Sequence, residues 1–213
     1  MALLDERGIA TSLVERDPTL PTGTVTVGLS GGDPTFTIHE PAAWDAIAGP
    51  GELPPHDVFC FGTLVGRSKT SFETLTRLLP VSAAFRALDV NLRPPADVSN
   101  ALAVGLHHAT LVKANEEELS ALATGPQAMF DSAPHLRWLC VTRGPEGARL
   151  FRRDGKQWTV AGVPADVVDT VGAGDAFFAG LVDALAHEAG GQVALERAQA
   201  LAVKVVSQRG GLL

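Results

Sequence analysis

The sequence predicts a single α/β domain in which helices cover both faces of a parallel sheet. A chain of 213 residues, 46% of them hydrophobic, can form one folded core, and this composition argues against disorder. Short apolar runs alternate with amphipathic segments across residues 57–141, which is the order of βα units. No repeat or linker divides the chain, so we expect one domain over residues 1–213.

A β-hairpin is predicted before these units. Residues 24–29 and 35–38 alternate polar or glycine positions with apolar ones, and residues 30–34 between them are rich in turn formers. Residues 41–47 then predict a short helix, because Pro41 suits a first helical turn.

The repeating units come next. Apolar runs predict buried strands and amphipathic spacing predicts helices, with strands at 57–61, 86–90, 110–112 and 136–141 and helices at 71–79, 98–107 and 116–122. Ser71 is the expected N-cap of the first helix. Cys60 and Cys140 lie inside apolar runs, so both are expected to be buried, reduced thiols.

The C-terminal third predicts two strands followed by two long helices. Residues 148–151 and 159–161 flank a polar turn and read as strands. Helices are expected at about residues 174–189 and 193–207, where apolar side chains recur at core spacing.

The composition also excludes some partners. The formal net charge is −7 and no run of Lys or Arg provides a basic face, which argues against nucleic acid and anionic membranes. No apolar stretch approaches the ~20 residues that span a bilayer, and the first residues lack the order of a signal peptide. We therefore expect a cytoplasmic protein.

The segment most informative about chemistry is the glycine turn, residues 169–175. Gly172 and Gly174 flank Ala173 directly before an apolar helix, so backbone N–H groups can approach a ligand closely. Unpaired amides and the positive end of a helix dipole suit an anion, and phosphate above all.

Two aspartates bracket this turn, and each has two interpretations. Asp175 in the first helical turn could simply stabilise the helix, by ~0.3–1 kcal/mol, or could accept a hydroxyl proton beside a bound phosphate. Asp169 could be a turn residue that bonds its own backbone.

The glycine turn resembles the C-terminal signature of the ribokinase-like (pfkB) carbohydrate kinases. Three further segments, residues 89–94, 113–119 and 141–147, agree with that family in order and spacing. The resemblance covers nearly the whole chain, and the first and third segments are most similar to fructokinases and 2-keto-3-deoxygluconate kinases. It implies a three-layer α/β/α fold with a mostly parallel sheet, and transfer of the γ-phosphoryl group of ATP to a sugar hydroxyl with Mg²⁺.

The resemblance also implies roles for individual residues. Asp175 would be the catalytic base, and the amides of Gly172, Ala173 and Gly174 would hold the transferred phosphoryl group. The remaining residues fall into four groups: Asn115 and Glu118 for Mg²⁺ and phosphate, partly through water; Thr142, Gly144 and Gly147 beside the nucleotide; Asn91 and Arg93 facing the sugar; and Asp169 and Val171 for the K⁺-like cation of several members.

Simpler interpretations of these residues remain open. Asn115 and Glu118 have the spacing of a helix capping box, Thr142 could lie in an ordinary strand exit, and Arg93 could be solvated.

The family's N-terminal strand, its glycine-rich sugar motif and its lid strands have no counterpart in this sequence. We therefore expect the N-terminal strands and lid to be absent from the fold. A catalytically impaired nucleotide-binding remnant, or an interaction module of the same fold, is the alternative function. Family members often form homodimers through the lid, so the oligomeric state stays open.

Overall fold

A computed structural model describes residues 2–30, 33–94, 96–164, 166–208 and 210. A short helix, α1 (Ala2–Glu6), precedes an antiparallel hairpin of β1 (Val25–Ser30) and β2 (Asp33–Ile38), which forms a separate two-stranded sheet. The predicted hairpin is confirmed, although residues 31 and 32 of its turn lie outside the described residues. The helix predicted at residues 41–47 is a 3₁₀ turn, Ala43–Ala46.

The main sheet has six strands in sequence order. They are β3 (Val58–Gly62), β4 (Phe85–Asp89), β5 (Leu111–Asn115), β6 (Trp138–Thr142), β7 (Ala148–Arg152) and β8 (Gln157–Val160). Strands β3 to β6 pair in parallel, whereas β7 and β8 pair antiparallel to their neighbours. Short turns connect the last three strands, and such turns permit only antiparallel pairing. The predicted mostly parallel sheet is confirmed.

Helices cover both faces of this sheet. They are α2 (Lys69–Leu78), α3 (Ser99–His108), α4 (Glu116–Leu122), α5 (Pro126–Ser132), α6 (Ala173–Ala186) and α7 (Gly191–Val206). Apolar residues of α6 and α7, including Phe177 and Leu195, pack on one face. Residues of α3, α4 and α5 pack on the other, which completes the predicted three layers.

Three details differ from the sequence predictions. Ser68, not Ser71, is the N-cap of α2, and the Ser71 hydroxyl donates to the Trp44 carbonyl oxygen at 2.8 Å. Helix α5 was not predicted; it has no side-chain N-cap, and Met129 and Phe130 are buried. Cys60 is exposed rather than buried.

The two cysteines differ because of their strands. Cys60 lies on β3, an edge strand of the described sheet, and pairs with Ala87 of β4. Ala87 is buried under α6 and α7 on one face of the sheet. Cys60, its neighbour at the edge, is exposed. Cys140 lies on the central strand β6 and is buried as predicted, and burial raises its pKa to about 12. Across the described ranges, no helix has the length and apolarity to cross a membrane.

Candidate active site

The candidate site lies where the parallel strands end and α6 begins. Asp89, Asn115 and Thr142 are the last residues of β4, β5 and β6, so they meet at one edge of the sheet. Open α/β sheets bind ligands at the carboxyl ends of their strands.

A cleft of about 660 Å³ opens at this edge between the sheet, the glycine turn and α7. Its wall toward α7 is largely apolar, with Val167, Val203 and Val206 among its residues. Lys113 and Gln199 supply polar groups. Such a volume and mixed lining suit a small organic ligand. Of the residues predicted for nucleotide and phosphate, the lining includes Thr142, Gly144, Gly147, Ala173 and Gly174.

The glycine turn borders this cleft through Thr170, Ala173 and Gly174 and carries free amides. Gly172 is the N-cap of α6 and adopts a left-handed conformation with φ 80°, which glycine tolerates best. The Ala173 N–H donates to the Thr170 carbonyl oxygen at 3.3 Å. Within the described part of the chain, the N–H groups of Gly172, Gly174 and Asp175 make no hydrogen bond. Of the four amides of residues 172–175, three are therefore available to an anion.

Asp175 occupies the first turn of α6, and its side chain is exposed. Its carboxylate makes no hydrogen bond or ion pair with any residue that the structure describes. The charge of Asp175, together with that of Glu118, helps raise the pKa of Asp89, although burial of Asp89 is the largest cause. Asp175 is therefore within electrostatic range of the strand ends.

A buried ion pair, which the sequence reasoning missed, lies beneath the turn. The Lys113 ammonium contacts both carboxylate oxygens of Asp89 at 2.8 Å, and about a tenth of each side chain is exposed. The sequence did offer a clue. Lys113 lies at an inward position of an otherwise apolar strand, and Asp89 ends the neighbouring strand. Recognising it required knowing that β4 and β5 are adjacent.

Asn115 and Glu118 form the capping box that their spacing predicts. The Asn115 Oδ1 accepts the Glu118 N–H at 2.7 Å, and the Glu118 Oε2 accepts the Asn115 N–H at 2.9 Å. The Glu118 Oε1 also accepts the Leu92 N–H at 2.8 Å. This buried carboxylate therefore ties the loop after β4 to the start of α4.

Asp169 fixes the segment before the glycines. Its Oδ1 accepts the Val171 N–H at 2.9 Å and its Oδ2 accepts the Gly210 N–H at 3.0 Å. These bonds lower the pKa of Asp169, and the bond from the Val171 N–H has the largest effect. The turn-residue interpretation is thus confirmed for its side chain.

The turn after β6 forms the floor of the cleft. Gly147 has φ 97°, and a Cβ there would lie 2.0 Å from the Val160 carbonyl oxygen. Both the conformation and the close approach of β8 require glycine at this position.

The two residues predicted to face the sugar stand apart from the cleft lining. Asn91 has a positive φ of 40° and is exposed. Arg93 is also exposed, and its Nη1 donates to the Leu92 carbonyl oxygen at 3.1 Å. They follow β4 at the same edge of the sheet.

A family model and curated relatives match this chain. The model of the pfkB family of carbohydrate kinases matches residues 1–212. A fructokinase of Vibrio alginolyticus is 30% identical over 88% of this chain and 66% of its own length. An aminoimidazole riboside kinase of Salmonella typhimurium is 26% identical over 87% of this chain and 63% of its own. The chain thus spans less than two thirds of the length of these curated relatives.

Solved structures share the fold. The uncharacterized sugar kinase PH1459 of Pyrococcus horikoshii, in complex with ATP, has a TM-score of 0.78 at 24% identity, covering 99% of this chain and 72% of that one. A fructokinase variant of Vibrio cholerae, with fructose, ADP and potassium bound, has a TM-score of 0.76 at 21% identity, covering 99% and 74%. Because the family model matches nearly the whole length of this chain, the chain belongs to the pfkB family of carbohydrate kinases.

Proposed function

We propose that this protein transfers the γ-phosphoryl group of ATP to a sugar hydroxyl, as a fructokinase-like or ketodeoxygluconate-kinase-like enzyme. The observation that carries the proposal is the pairing of free amides with a free carboxylate. Gly172, Gly174 and Asp175 present unbonded N–H groups at the start of α6, and the Asp175 side chain stands exposed beside them. Phosphoryl transfer needs both an anion site and a proton acceptor.

The reaction follows from this arrangement. The amides and the helix N-terminus would hold the transferred phosphoryl group, where its charge grows in the transition state. Asp175 would take the proton from the sugar hydroxyl as its oxygen bonds to the γ-phosphorus. The bond between that phosphorus and the oxygen bridging to the β-phosphate breaks, and ADP leaves. Thr142, Gly144 and Gly147 would border the nucleotide in the cleft.

Mg²⁺ is the proposed metal, and the donor groups fit an indirect role. The described residues contain no cluster of three or more His, Cys, Asp or Glu that could hold a metal ion. The Glu118 oxygens each accept one backbone N–H, so each keeps a lone pair for a metal-bound water. Glu118, with Asn115 at the same helix start, would hold such waters. The ion would supply neutralisation of the phosphate charge.

A monovalent cation near Asp169 and Val171 is a further proposal. The Asp169 carboxylate already stiffens this segment by accepting the Val171 and Gly210 N–H groups. A K⁺-like ion there would add to that restraint. The potassium in the Vibrio cholerae fructokinase structure supports the same ion class.

The sugar, the assembly and the compartment are also proposals. Asn91 and Arg93 would contact the sugar, because they lie beyond the end of β4 on the edge where α6 begins. The fructokinase relative supports a ketose as substrate, and the resemblance to 2-keto-3-deoxygluconate kinases adds a sugar acid as the alternative. The oligomeric state stays open, with the homodimer of family members as one arrangement, and a cytoplasmic location remains our expectation.

Replacement of the proposed base tests the function. Asp175→Asn should reduce ADP release, on any hexose or sugar acid that the unaltered chain phosphorylates, by at least ~100-fold, the usual scale of a general base. ATP affinity should change little. Asp183→Asn is the matched control, because Asp183 is exposed on the same helix two turns away. Full activity of Asp175→Asn would reject Asp175 as the base.

A nucleotide-binding module without turnover is the second candidate. The exposure of Asn91 and Arg93, the two residues proposed to contact the sugar, favours it. Calorimetry with ATP and Mg²⁺, followed by a screen of sugars for ADP release, separates the two. Binding without turnover on every sugar supports the module and contradicts the kinase.

A further inference from the structure

We propose that His107, His108 and His135, together with Arg86, form a binding site for a small dianion of the phosphate class, and that this site binds more tightly as pH falls. The site lies at the end of the main sheet opposite the cleft. It therefore goes beyond the proposed kinase activity and does not depend on it.

The fold brings these four side chains together at the amino ends of three parallel strands. His107 and His108 end α3 just before β5, whereas His135 precedes β6 and Arg86 lies at the start of β4. The His107 ring centroid is 4.9 Å from that of His108 and 5.6 Å from that of His135. The Arg86 Nε donates to the His108 carbonyl oxygen at 2.6 Å. We call these four residues the imidazole cluster.

The ring nitrogens of the imidazole cluster are free to bind a ligand. The chain has six histidines, and the three outside the cluster, His39, His56 and His187, each have a ring nitrogen bonded to another residue. The three rings of the cluster make no such bond with any residue that the structure describes. Two of these rings are exposed and the third is partly buried, so a ligand can reach them from solvent.

The charges that act within the imidazole cluster are all positive. Burial is the largest cause that lowers the pKa of His108, and the other causes are the charges of His107, Arg86 and His135. None of the four side chains pairs with a carboxylate among the described residues. Asp131, the carboxylate nearest to His135 in the sequence, is bonded to a glutamine of its own helix. Protonated rings here repel each other unless an anion lies between them.

The C-terminal end of α3 carries donors that offset its own dipole. Such ends usually repel anions because their last carbonyl groups are unpaired. Here the Ala109 N–H donates to the Gly105 carbonyl oxygen at 2.8 Å, and the Arg86 guanidinium covers the His108 carbonyl. The positive charge of Arg86 thus lies at the negative end of the helix, where an anion would otherwise be disfavoured.

Protonation and anion binding should be coupled at this site. An imidazole ordinarily has a pKa of ~6.5, so the imidazole cluster is largely neutral at pH 8 and gains protons toward pH 6. Each proton adds a positive charge and an N–H donor, and phosphate oxygens accept charge-assisted hydrogen bonds. By linkage, an anion that prefers the charged cluster raises the pKa of His108 and binds more tightly at low pH.

Sulfate is the first probe, because it keeps two negative charges from pH 8 to pH 6. Calorimetry on the unaltered chain should show sulfate binding at least ~10-fold more tightly at pH 6 than at pH 8. The double variant His107→Gln with His135→Gln, at two exposed positions, should bind sulfate at least ~10-fold more weakly at pH 6. His187→Gln is the matched control and should bind sulfate normally, because this exposed histidine at the end of α6 lies beside Asp183.

A measurement on the unaltered chain needs no variant. Imidazole resonances followed over pH should show the pKa of His108 rising when sulfate is added, and rising less in potassium chloride of equal ionic strength. Inorganic phosphate and glycerol phosphate, compared by calorimetry at pH 6, distinguish the source of the ligand. Binding of phosphate alone supports the free ion, and binding of both supports a phosphomonoester.

Three results would overturn the anion site. They are a sulfate affinity that is equal at pH 6 and pH 8, a double variant that binds sulfate like the unaltered chain, and a His108 pKa that chloride raises as much as sulfate does. Saturable binding of Zn²⁺ without binding of sulfate would make the cluster a metal site and would also contradict the proposal. None of these measurements involves ATP or a sugar, so their failure leaves the proposed function standing.

Discussion

Asp169 shows how one side chain prepares the glycine turn. Its carboxylate accepts N–H groups from Val171, two residues on, and from Gly210 near the C-terminal end. The Val168 N–H also donates to the Val206 carbonyl oxygen at 2.8 Å. These bonds fix the segment that leads into Gly172, so the turn does not depend on a ligand for its shape.

The lowered pKa of Asp169 predicts a pH-dependent effect of Asp169→Asn. A carboxyl group whose pKa is lower in the folded than in the unfolded chain stabilises the fold above its unfolded pKa, ~3.9, and loses this effect as pH falls through the folded value. The variant should melt at a lower temperature than the unaltered chain at pH 5–7, and the difference should shrink below about pH 4. Thermal melting followed by circular dichroism measures this.

Asp166→Asn is the control for that experiment. Asp166 is exposed on the same segment and makes no hydrogen bond with the described residues. Its variant should melt like the unaltered chain across this pH range. A difference for Asp169→Asn that stays constant down to pH 3 would contradict a role for the charge.

Residue spacing predicted local contacts and missed distant ones. The capping box of Asn115 and Glu118 was visible because its members are three residues apart. The pair of Asp89 and Lys113 joins residues 24 positions apart, so it appears only when two strands lie side by side. Asp169 has one local partner, Val171, and one distant partner, Gly210. Only the contact with Val171 was foreseeable.

At the scale of elements, Gly147 in the turn between β6 and β7 is constrained twice: its φ is positive, and β8 packs closely against it. Gly147→Ala should destabilise the fold by about 2–6 kcal/mol, because a positive φ costs about 1–3 kcal/mol and crowding adds a similar amount. The added Cβ would lie 2.0 Å from the Val160 carbonyl oxygen. Denaturant unfolding measures this loss.

Gly155 provides the matched control for the same hairpin system. It has φ 88° in the turn between β7 and β8, and a Cβ there meets no described atom within 4 Å. Gly155→Ala should therefore cost only the conformational strain, about 1–2 kcal/mol. Equal losses for the two variants would show that the approach of β8 to Gly147 is not tight.

Strong periodicity predicted the elements, and weak periodicity did not. The long helices α6 and α7 have regular apolar faces and were foreseen within a few residues. Helix α5 is as short as α4 but lacks the capping box that marks the start of α4, so no local signal predicted it. The exposure of Cys60 also depends on its neighbours, because an apolar run does not reveal whether its strand lies at the edge of a sheet.

Across the whole molecule, the parallel sheet brings distant segments to one edge. The strands β4, β5 and β6 end in Asp89, Asn115 and Thr142 at one edge of the sheet, and Thr142 lines the cleft there beside the start of α6. The order of strands and helices predicted this architecture, and the glycine turn is the basis of the proposed anion site. The depth of the cleft and the buried cation beneath it depend on packing between segments, which no local pattern encodes.

A titration of the ¹⁵N-labelled chain with ATP and Mg²⁺ tests most directly whether the free amides bind phosphate. The amide resonances of Gly172, Gly174 and Asp175 should shift together and saturate, and adenosine should leave them in place. Saturable ATP binding that leaves these three amides unmoved would contradict a phosphate site at the start of α6.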